Sequence, residues 1–327
     1  MRRLLVGSSL CLMVLYSGSV LHAQQATPAL DAKQADADFA FQGEYVGNIE
    51  HEGNTTKVGI QVIALGGGKF HAVGHIGGLP GDGWNGAEKR EADGEVKDGI
   101  LTIKGEMVTL QITNGVATVQ STDGGVKLGE FKKVTRESPT IGKKPPQGAV
   151  VLFDGSTADS FQGGKLDGNL LVQGVTSKQK FQSYSMHIEF LLSYMPAARG
   201  QGRANSGCYA QGRYEVQILD SFGLSGEHNE CGGIYTIKKP DVNMCFPPLS
   251  WQTYDIDFTA AKYDDAGKKT ADARMTVKHN GVLIHSDVAL PKSTTAAPVA
   301  EGKEPGPIYL QDHSNPIRFR NIWVVEK

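Results

Sequence analysis

The sequence lacks most of the signals that would place it at once. No Lys/Arg-rich stretch runs through its 327 residues, and 33 Lys and Arg nearly balance 35 Asp and Glu for a net charge of −2. That excludes the basic footprint of a nucleic-acid binder and the basic amphipathic face of a membrane-surface helix. Beyond the N-terminus no apolar run approaches membrane-spanning length. Cysteine is scarce, with four residues and no Cys-x-x-Cys spacing, so a zinc centre has no framework. No Gly-x-Gly-x-x-Gly follows a strand. Gly66-Gly67-Gly68-Lys69 has neither the spacing nor the Ser/Thr of a phosphate loop. Gly223-Leu224-Ser225-Gly226 is not a nucleophile elbow. His71 and His75 have helical zinc spacing but lie in a strand-like run, where four residues span roughly 13 Å; both read as surface histidines. Helical periodicity is missing throughout.

What is present is glycine, 41 residues of it, between short Val/Ile/Phe/Tyr runs, the composition of strands joined by turns. The first residues form a processing signal. Arg2 and Arg3 precede an apolar stretch from Leu4 to Val20, and Leu21-His22-Ala23 offers cleavage after Ala23. The expectation is a soluble, exported protein, periplasmic or secreted. Cys11 leaves with the signal. Of Cys208, Cys231 and Cys245, an oxidising compartment allows one disulfide. Cys231 and Cys245 flank a short loop and are paired here, with Cys208 a small buried thiol.

Residues 24–38 read as a flexible tail and 39–135 as a small all-β domain, with strands near 57–65, 69–74, 100–104, 107–113 and 116–121. Residues 136–148 have linker composition, and 149–327 form a second all-β domain. Its strands fall near 184–193, 207–211, 214–220, 251–260, 273–279, 282–289, 307–312 and 317–326. Asn114-Gly115 and Asn280-Gly281 are two-residue hairpin turns. Eight or so short strands without helices predict a sandwich or jelly roll.

Alternation then sorts the side chains. Met186, Ile188, Phe190 and Leu192 go inward, as do Val216 and Ile218, Tyr254, Ile256 and Phe258, and Ile308 and Leu310. The opposite set holds His187, Glu189, Glu215, Gln217, Thr253, Asp255, Asp257, Tyr309 and Gln311, with Arg213 and His313 just beyond strand ends. Acids, amides, an Arg and histidines with little Lys suit sugar hydroxyls; cross-strand ion pairs on a solvated sheet explain them equally well.

Several pieces in order, covering about residues 149–327, carry a resemblance. They are Leu152-Phe153-Asp154-Gly155, Asn205-Ser206-Gly207, Tyr214-Glu215-Val216-Gln217-Ile218-Leu219-Asp220-Ser221, Cys231-Gly232-Gly233-Ile234-Tyr235, Trp251-Gln252-Thr253-Tyr254-Asp255-Ile256, Asn280-Gly281-Val282, Gly306 to His313, and Arg318-Phe319-Arg320-Asn321-Ile322-Trp323. Together they resemble the 3-keto-disaccharide hydrolase family, which has the concanavalin A-like lectin/glucanase sandwich. Ser314 departs from the glycine that usually follows the His. The first domain lies outside this resemblance, although Gly43-Glu44-Tyr45 and the 77–84 turn look like the leader domain that often precedes such enzymes.

The resemblance implies cleavage of 3-keto-glycosides. A C3 carbonyl acidifies the proton on C2, its loss expels the C1 substituent, and water adds back; the site needs a base, an acid and a donor at the C3 oxygen. Glu215 and His313 are the expected base and acid, Arg213 the enolate stabiliser, and Asn205, Gln217, Tyr235 and Gln311 the hydroxyl binders, with Glu189 and Asp255 as second choices. No cofactor is required, although a divalent cation at the carbonyl fits the chemistry. Two other readings stand beside it: a two-carboxylate glycosidase using Glu189 and Glu215, and a lectin-like module that binds sugar without turnover.

Overall fold

The computed structural model describes residues 27–327; the expected signal sequence and its cleavage point lie outside them. The described chain is nearly all strand, and no helix in it is long and apolar enough to cross a membrane.

The first domain is a closed antiparallel barrel of eight strands: Gly43–His51, Asn54–Gly66, Lys69–Ile76, Lys89–Lys97, Ile100–Lys104, Val108–Thr113, Val116–Ser121 and Lys127–Val134. The last closes on the first through Glu44↔Val134 to Gly47↔Phe131. Tyr45, Val62, Phe70, Leu101, Ile103, Ile112 and Phe131 fill the interior, as side chains can in a barrel of this size. Three of these strands carry no legible alternation. Lys89–Lys97 turns Ala92, Gly94 and Val96 inward, and a Cβ on Gly94 would lie 2.3 Å from the Thr102 carbonyl oxygen. Close backbone approach there replaces a large apolar side chain. The expected turn at Asn114-Gly115 is present with positive φ at both residues, +49° and +75°, joining Thr113 to Val116, as a two-residue hairpin of primed type requires. His75, read as a surface residue, is fully buried and bonds Gln61 at 3.1 Å, because Trp84 of the following turn stacks on it edge to face.

The second domain is a two-sheet sandwich. One sheet has five strands in the order Phe161–Gln162, Val175–Phe181, Gly306–Leu310, Ser206–Ala210, Tyr214–Ile218. The other has eight: Leu166–Asp167, Leu170–Val172, Ile317–Glu326, Tyr184–Leu192, Trp251–Thr259, Ala273–His279, Val282–Leu290, with Val150–Phe153 also paired to Ile317–Glu326. Every residue assigned inward by alternation is buried in the shared core. At roughly 25 cal/mol per Å² of apolar surface, this inner layer is the main source of stability.

Two segments expected to be loose are held. Ala29 exchanges backbone hydrogen bonds with Tyr194 (3.1 and 2.8 Å), the Tyr194 hydroxyl donates to Asp36 (2.9 Å), and Asp38 accepts from the Gly68 amide (2.9 Å). The tail therefore ties sandwich to barrel from residue 29 onward. The linker is likewise a strap across the eight-stranded sheet: Ser138 and Thr140 bond the Thr253 hydroxyl at 2.6 and 2.8 Å, and a Cβ on Gly281 would meet Pro139 at 2.5 Å. The expected disulfide is not formed: Cys208, Cys231 and Cys245 are all free thiols. Cys231 and Cys245 are both buried deep in the core, with Cys231 Sγ against the Tyr254 hydroxyl (3.3 Å) and Cys245 Sγ donating to the Leu219 carbonyl (3.6 Å). Burial pushes the Cys208 thiol up to about 12, so it is inert.

Candidate functional site

Strand alternation distinguishes inside from outside but not which sheet a strand joins. The polar set read as one face is divided between the two outer faces of the sandwich. Their core separates them, with sheets packed roughly 10 Å apart and outer side chains pointing away from each other.

On the eight-stranded sheet, Tyr184–Leu192 pairs with Trp251–Thr259 so that His187 lies opposite Asp255 and Glu189 opposite Thr253. His187 sits between two carboxylates, Asp255 at 3.0 Å and Glu189 at 3.5 Å, and stacks on Trp323. Burial opposes a charge on this imidazole, but the two carboxylates outweigh it and raise its pKa. Glu189 also accepts from Arg320 (2.6 Å), Asn321 (2.8 Å) and the strap amide of Gly142 (2.6 Å). Asp255 accepts from Lys143 of the strap at 2.9 Å. Burial alone would raise both carboxyls; these donors instead hold each down to about 2. Arg320 lies over Trp251 at 3.9 Å. Both oxygens of Glu189 have donors, whereas Asp255 is held through Oδ1 and its Oδ2 is buried without a hydrogen-bond partner. Glu189 and Asp255, expected to bind substrate, are anchors for the strap.

The five-stranded sheet is different in kind. Its edge strand Tyr214–Ile218 turns Tyr214, Val216 and Ile218 inward and Glu215 and Gln217 outward. Ser206–Ala210 pairs beside it with Tyr209 opposite Glu215 and Gly207 opposite Gln217. Tyr309 follows on the next strand, opposite Tyr209, with ring centroids 5.3 Å apart. The segment 232–235 covers the free edge: Gln217 donates its amide to Gly233 (2.9 Å) and Tyr235 donates to Glu215 (3.1 Å), backbone to backbone. Thr294 completes the cover by accepting the Glu215 amide at 3.0 Å.

Glu215 is only 2% exposed, and among the described residues no cation offsets that. Burial pushes its pKa up to about 8, against a smaller lowering by the adjacent Tyr209 hydroxyl. Tyr209 and Tyr309 are raised in turn, chiefly by burial. The Gln311 amide donates to the Tyr209 hydroxyl at 3.2 Å. Asn205 donates to the Gln201 backbone carbonyl (2.8 Å), and the Gln201 side-chain amide lies between Asn205, Gln217 and the Asn229 carbonyl. A buried, uncompensated carboxyl ringed by phenols and amides, with half-buried Tyr235, Tyr309 and Gln311 at its rim, can exchange a proton near neutral pH.

Glu215, Gln217, Gln311, Tyr235 and Asn205 are thus brought together as expected. His313 lies exposed just past the strand Gly306–Leu310, beside Ser314. That serine has φ +63°, in the left-handed region where a glycine is unstrained, and its amide is held by Asp312 (2.8 Å). Arg213 is not presented to the site. Its Nε donates to the Ala300 carbonyl (2.8 Å) and its Nη1 to Glu304 O (3.0 Å) and Gln211 Oε1 (2.9 Å), so it fastens the loop that carries Thr294. Glu189 and Glu215 face opposite ways across the core, which removes the paired-carboxylate arrangement. Tyr209 and Gly207 were missed, though alternation from the inward Cys208 would have found them. Gln201 sits in the 3-10 turn Gly200–Gly202, and Asn229 and Thr294 lie between strands, where no period marks a face. Among the described residues no group of three or more His, Cys, Asp or Glu is placed to hold a metal ion. A cavity of about 210 Å³ lies between barrel and sandwich, lined by Ile63, Phe222 and Leu224 with Arg199 and Arg203; both guanidinium groups are tied to backbone carbonyls or Asp220.

Residues 148–325 match the family described as the 3-keto-alpha-glucoside-1,2-lyase-like domain. A solved structure from Parabacteroides distasonis, described as a "putative glycosyl hydrolase", is 31% identical with a TM-score of 0.50, over 56% of this chain and 85% of that one. A second structure so described, from the same organism, is 15% identical with a TM-score of 0.41, over 55% and 94%. No curated protein matches the chain. The chain belongs to the family of 3-keto-alpha-glucoside-1,2-lyase-like domains and is a glycoside hydrolase-like enzyme on a β-sandwich.

Proposed function

We propose that the protein is exported and cleaves 3-keto-glycosides on the outer face of the five-stranded sheet, with Glu215 as the proton-transfer residue. The observation that carries this is the buried Glu215 carboxyl, with no ion-pair partner among the described residues and its pKa pushed up to about 8 by burial, ringed by tyrosines and amides on the outer face of the five-stranded sheet. Its ionised form takes the C2 proton of a sugar oxidised at C3. The C2–H electron pair becomes the enolate, the C1–O bond breaks, and the alcohol departs with a proton, leaving a C1=C2 enone to which water adds. The same carboxyl, once protonated, can return that proton to the departing oxygen, being matched in pKa to a neutral medium.

Gln311, Tyr309 and Tyr235 supply donors for the C3 oxygen and ring hydroxyls, and Asn205 supports them through Gln201. His313, exposed just past the strand Gly306–Leu310, is our candidate for contact with the leaving group. Arg213 acts through the 294–304 loop. A divalent cation at the C3 carbonyl would add Lewis-acid polarisation, and purified protein with and without a chelator tests that. Export predicts a mature N-terminus at Gln24, read by intact mass.

The test is product formation from a 3-keto-α-glucoside, with the unoxidised glucoside alongside and deuterium uptake at C2 followed in heavy water. Cleavage of the keto sugar alone, with C2 exchange, is expected. Equal cleavage of both sugars overturns the enolate route, and saturable binding without turnover makes the domain a lectin-like module.

A further inference from the structure

The two oxygens of Glu215 are not equivalent. A Cβ on Gly207 would lie 2.1 Å from Oε1, so that oxygen occupies a notch only glycine leaves open. The side-chain amide of Gln217 lies against the same atom. One of its two polar ends is 3.0 Å from the Ser206 carbonyl oxygen and 2.9 Å from Glu215 Oε1. A carbonyl accepts in every protonation state, so the end facing Ser206 must be the NH2. The Gln217 oxygen then lies 3.0 Å from the Gln201 Oε1 position, so the Gln201 amide must turn as well and present its NH2 there. We propose that Gln217 and the Gly207 notch hold Oε1 of Glu215 as a fixed acceptor, so that Oε2 is the atom that exchanges the proton with the sugar. Gln217 is thereby a positioning residue and not a hydroxyl binder. The inference rests on Glu215 being the proton-transfer residue.

The groups facing this carboxyl are few. Tyr209 comes from the neighbouring strand, Tyr309 from the one beyond it and Tyr235 from the edge segment; the Cys208 thiol lies behind. Arg213, in the turn just before the strand Tyr214–Ile218, is turned to the 300–304 loop. The Gln217 NH2 is then a principal donor to the ionised form. Hydrogen bonds to a charged group are the stronger kind, so removing this one should tighten proton binding by about tenfold or more.

The experiment is a pH titration of the Glu215 carboxyl by carbon-13 NMR, assigned by its loss in Glu215→Gln, in the unmodified protein and in Gln217→Leu and Gln217→Met. The pH profile of kcat/KM on a 3-keto-α-glucoside is measured in parallel. The expected result is an upward shift of the carboxyl midpoint in both variants, an equal shift of the acidic limb of the profile, and little change in KM. In the unmodified protein the Gln217 side-chain NH2 resonances should titrate with the same midpoint, which tests the contact even if both variants misfold. A flat Gln217 response, or unmoved midpoints with a raised KM, overturns the proposal. The titration stands without turnover, so an inactive protein with a normal shift would count against the catalytic reading and not against the clamp.

Discussion

The two outer faces of the sandwich start from the same chemistry and arrive at opposite electrostatics. Each has a buried glutamate on a central position of a strand, flanked by aromatic and amide side chains. Glu189 meets Arg320, Asn321, His187 and a strap amide and is held down to about 2; Glu215 meets phenols and amides and is pushed up to about 8. Burial acts in the same direction on both. The presence or absence of cations and backbone donors decides the sign. One face is a charge-paired network that holds a strap, and the other keeps a carboxyl with no ion-pair partner among the described residues.

The largest expected effect separates the faces by activity. Glu215→Gln should lower kcat on a 3-keto-glucoside by about 10²–10⁴-fold, and Glu189→Gln should leave it within a fewfold; steady-state kinetics on both variants checks this. Full activity in Glu215→Gln would end the catalytic reading of that face.

Stability should divide the other way. Glu215 binds its proton more tightly folded than unfolded, its pKa rising from 4.5 to about 8. Its contribution is fully present below about pH 4.5 and is lost as pH rises through 8. Glu215→Gln, which stays neutral, should therefore gain on the wild type across that window, by on the order of 4 kcal/mol above pH 8, seen as a Tm difference that grows with pH. A constant difference between pH 5 and 9 would contradict the raised pKa.

Glu189→Ala leaves His187 and the strap amide without their acceptor and should cost about 2–4 kcal/mol, measured by urea unfolding. Cleavage by a protease at residues 138–143 should accelerate in the same variant. Glu189 and Asp255 have depressed pKa values, so their stabilisation is present above about pH 4.5 and lost as pH falls towards 2. Acid should therefore loosen the strap first, read by hydrogen exchange of the Gly142 amide. The smallest effect concerns sulfur: thiol titration of unfolded, unreduced protein should count three reactive cysteines per mature chain, and one would restore the 231–245 disulfide.

Much of the architecture was legible. The inward set from Met186 to Leu310 and both Asn-Gly hairpins follow from a period of two and from the positive φ that those turns demand. Asn205, Glu215, Gln217, Tyr235 and Gln311, named from the resemblance, lie on or beside one face of the five-stranded sheet. The strand Lys89–Lys97 was not legible, because close packing at Gly94 substitutes for apolar side chains. Nor were Thr294 and Gln201, which lie outside the strands. Arg213 and Asp255 carry the right functional groups, but their partners, the 300–304 loop and the strap, are remote in sequence.

Sequence alone determined the all-β class, the inward residues and the family motifs, because side-chain alternation and turn chemistry are local properties of the chain. Tertiary structure decided which glutamate is neutralised and which is left proton-poised. A carboxyl's pKa depends on every charge and donor within a few ångströms, and those neighbours are set by which strands share a sheet and where the strap lies.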